Sequence, residues 1–294
     1  MKKTIFEGAA TAIVTPFKND KIDYEAYGKL IEYQIENQID AIVVCGTTGE
    51  SATLSDNEHR EIISYTVDKV AGRVPVIAGT GSNETAYSVE LSKHAAEAGA
   101  DALLHVTPYY NKATEKGLIK HFLTVAEATD KPIILYNVPS RTGTNISVKV
   151  YKELAKHPQI VAVKEASGDF SKIAKIAAEC GDMLDIYSGN DDQIVPVLSL
   201  GGKGVISVLS NILPKETHDM CRLFFEGKVK ESAKLQLELL DLVNALFIEV
   251  NPIPAKTAMQ MLGYFSDEMR LPLCEMEDHN KEILRAALKK HNLL

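Results

Sequence analysis

Short apolar runs rich in β-branched residues recur along the chain, and each is followed by a longer amphipathic stretch. They are TAIVTPF (11–17), DAIVVCG (40–46), VPVIAGTG (74–81), ADALLHVTP (100–108), PIILYNVP (132–139), IVAVKEAS (160–167), DIYSGN (185–190) and KGVISV (203–208), eight in all. Nearly continuous apolar character is what a strand buried on both faces requires, and parallel sheets covered by helices are buried in that way. Strict alternation of strand and helix leaves two architectures, a closed barrel and a doubly wound open sheet. The open sheet needs a Gly-rich G-x-G-x-x-G turn after its first strand, and VTPFKND has none. Eight units of similar spacing favour an α/β fold of the (β/α)8 TIM-barrel type. The chain's 294 residues suit this, since single barrels commonly reach ~250 residues.

The stretches between the runs have helical periodicity. Asp23 to Asn37 places Tyr27, Leu30, Ile31 and Gln34 along one stripe. Ser55 with Glu58 makes a capping box, Asn83 opens a helix that Gly99 closes, and Ser147, Ser167 and Pro214 mark further starts. The seventh unit leaves room only for a brief helix over 191–200. After about residue 226 the strands stop, and GKVKESAKLQLELLDLVNALFIEV, NPIPAKTAMQMLGYF and EDHNKEILRAALKKHNLL read as helical segments. The expected division is a catalytic barrel over 1–226 and a small C-terminal helical appendage over 227–294.

A net charge of −8 repels phosphate backbones and anionic lipid, which disfavours nucleic acid and membrane partners. The apolar run near the N-terminus ends at Pro16, too short to span a bilayer, so a cytoplasmic location is expected. Cys45, Cys180, Cys221 and Cys274 stand far apart with no Cys-x-x-Cys pair, which points to isolated core thiols and to no metal site.

Lys164 interrupts an apolar strand near its C-terminal end. Alternation along a strand puts Ala162 and Lys164 on one face and Val161 and Val163 on the other. An amine facing the barrel axis would sit at the C-terminal mouth, where desolvation favours its uncharged, nucleophilic form. The alternative is a lysine that snorkels outward or pairs with Glu165. Tyr136 ends another strand and can pass protons to a carbonyl oxygen, or be a core aromatic. Arg141, in the loop that follows, offers a planar fork for a carboxylate, or is merely solvated. The turn Gly46-Thr47-Thr48-Gly49-Glu50 lets backbone and hydroxyls approach a ligand but lacks the Walker ending. Tyr109 and Tyr110 suit a ligand contact, a subunit contact or packing on the rim. Asp191 and Asp192, beside Asn190, read as helix capping rather than metal ligation. The eight histidines are scattered and none is assigned to catalysis. Thr47, Tyr110, Tyr136, Lys164, Gly189 and Ile206 all fall at or just after strand ends, which a barrel would bring to one mouth.

The set GTTGES (46–51), VTPYYNK (106–112), LYNVPSRTG (135–143), VKEASGD (163–169), GVISV (204–208) and NPIPAK (251–256) resembles the dihydrodipicolinate synthases. These are the 4-hydroxy-tetrahydrodipicolinate synthases, of the pyruvate-dependent class I aldolase group, and the resemblance spans essentially the whole chain. It implies condensation of pyruvate with aspartate semialdehyde for lysine and diaminopimelate synthesis, through an imine on Lys164 and without metal or organic cofactor. It implies Tyr136 as proton-transferring tyrosine and Thr47 as its link to a second tyrosine, matched by Tyr110. That tyrosine enters from the neighbouring subunit, so the chain is expected as a homodimer or homotetramer with Tyr110 crossing the dimer interface. Thr48 matches a residue holding the pyruvate carboxylate, Arg141 one engaging the second substrate's carboxylate, and Gly189 and Ile206 residues whose backbone lines the pyruvate pocket.

Related N-acetylneuraminate and 2-keto-3-deoxy sugar acid aldolases share the lysine and tyrosine, but typically have Ser before Thr in the turn and lack the Pro-Ser-Arg-Thr-Gly loop. Thr47-Thr48 and Arg141 therefore favour the synthase. Lysine-inhibited members carry a His and a Glu where this chain has Asp56 and Tyr87, whereas Asn83, His59 and Tyr109 are retained. The resemblance thus implies weak or absent inhibition by lysine.

Overall fold

Eight parallel strands hydrogen-bond in sequence order and close on themselves. They are β1 (Gly8–Ala12), β2 (Ala41–Val44), β3 (Val76–Gly79), β4 (Ala102–Val106), β5 (Ile133–Asn137), β6 (Ile160–Glu165), β7 (Asp185–Ser188) and β8 (Gly204–Ser207). β8 closes the ring on β1 with register Gly8↔Gly204 to Thr11↔Ser207. The computed structural model describes residues 2–294. Helices α1 (Tyr24–Glu36), α2 (Asp56–Val70), α3 (Thr85–Glu97), α4 (Glu115–Glu127), α5 (Val148–Leu154), α6 (Phe170–Cys180), α7 (Ile194–Ser199) and α8 (Pro214–Phe225) follow the strands in turn. The fold is the expected (β/α)8 barrel.

The apolar residues divide into two cores. Ala10, Ala12, Val43, Ile77, Leu104, Ile134, Tyr136, Ala162, Tyr187 and Ile206 fill the barrel interior. The opposite faces of the strands pack against the helices. Every position of β6 is buried, as double-sided covering requires.

The first strand begins three residues before the expected run 11–17 and shares only Thr11 and Ala12 with it. Its sequence GAATA is small and poor in β-branched residues, so propensity does not reveal it. Ala10 and Ala12 nevertheless face the crowded interior. Phe17, at the end of the expected run, instead opens a two-stranded antiparallel hairpin with Lys21–Ile22. In β6 the register skips Val161, with Ile160 opposite Ile133 and Ala162 opposite Ile134. This bulge turns Val161 to the interior, contrary to simple alternation, while Val163 faces the helices as expected.

The α1 stripe Tyr27, Leu30, Ile31 and Gln34 is buried, and the Ser55–Glu58 capping box is present. Ser147 caps α5, and Pro214 opens α8. Two starts move. Glu84, not Asn83, precedes α3. At α6 the carboxylate of Asp169 accepts the Lys172 N–H, displacing Ser167, whose hydroxyl accepts the Asp169 N–H. Nor does the Asn190 side chain cap the turn after β7. Asp191 reaches across to accept the N–H groups of Val208 and Leu209 at 2.9 and 3.0 Å.

Beyond residue 226 come α9 (Val229–Glu238), α10 (Leu240–Leu246), α11 (Ile253–Met261) and α12 (Asp278–Lys290), the first expected segment being broken at Leu239. Cys45, Cys180 and Cys221 are buried, but Cys274 is exposed because it falls on irregular chain between α11 and α12. Among the described residues no helix is long and apolar enough to cross a membrane.

Candidate active site

Register sets the centre of the site. Lys164 on β6 lies opposite Tyr136 on β5 and Tyr187 on β7. Two residues beyond Ala162, it shares that residue's interior face. Lys164 and Tyr136 are each 6% exposed, and the lysine Nζ stands 4.3 Å from the centre of the tyrosine ring. The alternatives of an outward lysine or a pair with Glu165 do not hold. Glu165 faces away, accepting from Asn137 and Tyr151.

Space for the lysine depends on Gly189, just after β7. Its N–H donates to the Glu165 carbonyl at 2.8 Å. A Cβ there would lie 2.6 Å from the Ala166 Cβ and 3.2 Å from the Lys164 Cε. Ile206 on β8 is buried in the same interior cluster as Tyr136.

The turn after β2 is fixed from several sides. Cys45 enters it in the left-handed region at φ 55°, and Glu50 leaves it at φ 54°. The Gly49 N–H donates to the Gly46 carbonyl, and the Thr15 hydroxyl donates to the Gly49 carbonyl. Thr48 is buried and accepts the Asn251 side-chain amide at 3.0 Å. Glu50 forms a wholly buried ion pair with Lys256, Nζ to Oε1 2.6 Å. Burial holds the Lys256 ammonium below its ordinary pKa despite the pull of Glu50.

Thr47 and Arg141 line a cavity of about 420 Å³, together with Tyr109, Val138 and Asn251. Arg141 sits on the helical turn Pro139–Thr142 and donates Nη2 to the Asn251 carbonyl at 3.1 Å. One wall holds Ser51, Ala52, His59 and Tyr87. There the Tyr87 hydroxyl donates to Asp56 at 3.0 Å, and Arg60 Nε donates to the same carboxylate. Burial and that carboxylate push the Tyr87 phenol up to about 12, while Arg60 holds Asp56 below the usual carboxylate range. Burial pushes His59 down, its Nε2 meeting the Gly79 carbonyl at 2.8 Å.

Lys164, Tyr136, Gly189 and Ile206 therefore converge inside the barrel, while Thr47 and Arg141 border the cavity. Tyr110 is apart from both groups, 93% exposed and at φ 69°. Sequence reasoning missed Asn251 and Lys256 as parts of this region, whereas Tyr109, read as a ligand, subunit or rim contact, lines the cavity. The signal for Lys256 was a cation on α11, whose residues Ile253 to Met259 are all buried. Asp191, read as a cap for its own turn, buries its carboxylate and is pushed upward in pKa by that burial.

A closed ring of eight strands, holding a buried lysine against a tyrosine near the carboxyl ends of two neighbours, defines a (β/α)8-barrel enzyme. The profile of the dihydrodipicolinate synthetase family matches residues 5–291, and the chain belongs to that family. It is a lyase of the carbon–carbon bond-forming kind. Over 285 residues it is 58% identical to the 4-hydroxy-tetrahydrodipicolinate synthase of Caldicellulosiruptor saccharolyticus, covering 97% of this chain and 96% of that one. The solved dihydrodipicolinate synthase of Aquifex aeolicus superposes with a TM-score of 0.97 at 48% identity, covering 98% of this chain and 99% of that one. A structure described as the first monomeric dihydrodipicolinate synthase variant gives 0.97 at 42% identity, covering 99% and 98%.

Proposed function

We infer that this enzyme condenses pyruvate with L-aspartate 4-semialdehyde to 4-hydroxy-tetrahydrodipicolinate, through an imine on Lys164. Family membership supports the overall reaction, and the placing of Lys164 against Tyr136 on the interior face supports the imine. The Lys164 amine attacks the ketone of pyruvate, and loss of water leaves an iminium. The positive nitrogen withdraws electrons, so the methyl carbon gives up a proton and becomes an enamine. That carbon bonds to the aldehyde carbon, and the aldehyde oxygen takes a proton to become a hydroxyl. The amine of the new chain then attacks the iminium carbon, closing the ring and freeing Lys164. Because the iminium is itself the electron sink, the proposed route uses neither metal nor organic cofactor.

Tyr136 is assigned the proton transfers, with Thr47 linking it to Tyr110 of a neighbouring copy. Thr48 receives the pyruvate carboxylate, and Gly189 and Ile206 line its pocket. Arg141 takes the carboxylate of the aldehyde substrate. A homodimer or homotetramer fits a tyrosine 93% exposed in its own chain. The four unpaired cysteines suit a reducing cytoplasm.

Borohydride reduction in the presence of pyruvate, followed by peptide mapping, tests the reading directly. A reduced adduct on Lys164 is expected, and its absence would end the proposal. Parallel assays with aspartate semialdehyde and with sugar aldehydes separate the synthase from a sugar-acid aldolase.

A further inference from the structure

Immediately beyond the Lys164–Tyr136 pair, the same two strands make a second pairing that faces the other way. Asn137 lies opposite Glu165 in the ladder, as Tyr136 lies opposite Lys164. Both side chains are buried among the helices, at 0% and 1% exposure. The Asn137 amide donates to both carboxylate oxygens of Glu165, at 2.9 and 3.2 Å. Proposing a role for this pair rests on the imine reading of Lys164.

We propose that Asn137 and Glu165 are positioning residues that lock the register of β5 against β6 and so hold the Lys164 amine and Tyr136 in working alignment. A side chain on one face of a strand is fixed by where its neighbour on the other face is held. A slip of one residue would exchange the two faces. The outer bond opposes that slip at the last rungs of the ladder, where fewest other backbone bonds remain.

The same pair also anchors the loops that leave the two strands. Glu165 accepts the Ser167 N–H at 2.9 Å and the Tyr151 hydroxyl at 3.2 Å. Asn137 accepts the Ile146 N–H at 3.0 Å and donates to the Asn145 side chain, behind the loop bearing Arg141. Lys172 on α6 completes the surround, with its Nζ 3.7 Å from Glu165 Oε2 and bonded to Asn145. Every oxygen of the carboxylate is thus engaged by groups from β5, α5, α6 or the loop after β6. A scaffold needing only bulk at this position would be served by an apolar pair. Burying a carboxylate with this many donors specifies direction.

The test compares Asn137→Ala, Glu165→Ala and Glu165→Gln with the native enzyme. Borohydride trapping with saturating pyruvate counts competent lysines, and turnover is expressed per trapped site. A misplacement near 1 Å lowers turnover by about a hundredfold. Both alanine variants are therefore expected to lose at least about thirtyfold in kcat per trapped site, with KM for pyruvate changed by less than about threefold. Glu165→Gln keeps an acceptor for Asn137 and Ser167, and should stay within about threefold of native turnover. The inference is overturned if the alanine variants only melt earlier while turnover per trapped site stays native. It is equally overturned if glutamine fails as badly as alanine. Should Glu165→Ala not fold, Asn137→Ala with Glu165→Gln still decides between these outcomes. Failure of the native enzyme itself to be trapped would instead strike down the imine reading.

Discussion

Replacing Lys256 by methionine is expected to cost far more stability than removing any surface cation. The Lys256 ammonium sits 2.6 Å from Glu50 Oε1, 2.6 Å from the Glu268 carbonyl and 4.4 Å over the Phe17 ring. Both members of the ion pair have side chains at 0% exposure. Methionine fills similar space, so cavity formation contributes little. What it leaves is a buried carboxylate whose remaining contact is the Arg270 N–H at 3.4 Å, a weak bond. Orphaning one member of a buried pair costs about 3–5 kcal/mol. At about 2–4 °C per kcal/mol for large domains, the melting temperature should fall by roughly 6–20 °C.

A second substitution separates charge from packing. Adding Glu50→Gln to Lys256→Met removes the unpaired charge, and should recover at least half of the lost stability. Arg73→Met supplies the contrast, since its bond to Glu32 is 2.6 Å long but its side chain is 40% exposed. That variant should lose no more than about 1 kcal/mol. Thermal unfolding at low and high salt provides the readout, and the Lys256 effect should be nearly independent of salt because the pair is shielded from ions. A Lys256→Met protein melting within a few degrees of native would refute the reasoning. So would a double variant no more stable than the single one.

Gly189→Ala is expected to leave the barrel folded but to depress turnover by about a hundredfold. Its Cβ would press on the Lys164 Cε at 3.2 Å and the Ala166 Cβ at 2.6 Å, and native kcat would contradict this. L-Lysine should inhibit weakly or not at all, because Asp56, behind Tyr87 of the cavity lining, is already held by Tyr87 and Arg60. Strong inhibition in a titration would show that this pairing opens. Burial holds the His105 imidazole down to about 3, so between that value and about 6.5 only the unfolded chain takes up its proton. Stability should therefore rise with pH through this window and be lost as the solution is acidified, and His105→Gln should flatten the slope. Parallel pH–stability curves for the two proteins would argue against it.

Hydrophobic pattern exposed the barrel because seven of the eight strands are written in the residues that double burial favours. The start of β1 escaped because Gly8, Ala9 and Ala10 carry no strand signature, leaving only Thr11 and Ala12 within the expected run. Chemistry was legible where a residue type contradicted its surroundings, as Lys164 does in IVAVKEAS. Asn251 offers no such local contradiction, and Lys256, a cation on an apolar helix, offers one that does not reveal its partner. Their partners Thr48 and Glu50 are 203 and 206 residues away, and only the closed fold brings them together. The bulge at Val161 was equally hidden, since a valine suits either face of a strand buried on both.

These long-range bonds change what the C-terminal helices contribute. Asn251 holds Thr48 through its side chain and Arg141 through its carbonyl, and so spans the turns after β2 and β5. Lys256 fixes the end of the first of these turns at Glu50, and Arg270 binds Glu58 at the start of α2 and Asp20 in the hairpin beyond β1. None of these contacts touches the Lys164–Tyr136 pair, which strand register holds from within. The proposed imine-forming centre is thus built by the barrel alone. The groups assigned to substrate carboxylates, Thr48 and Arg141, are braced from outside it. The two functions can then be disturbed separately, one through the ladder and the other through the helical tail.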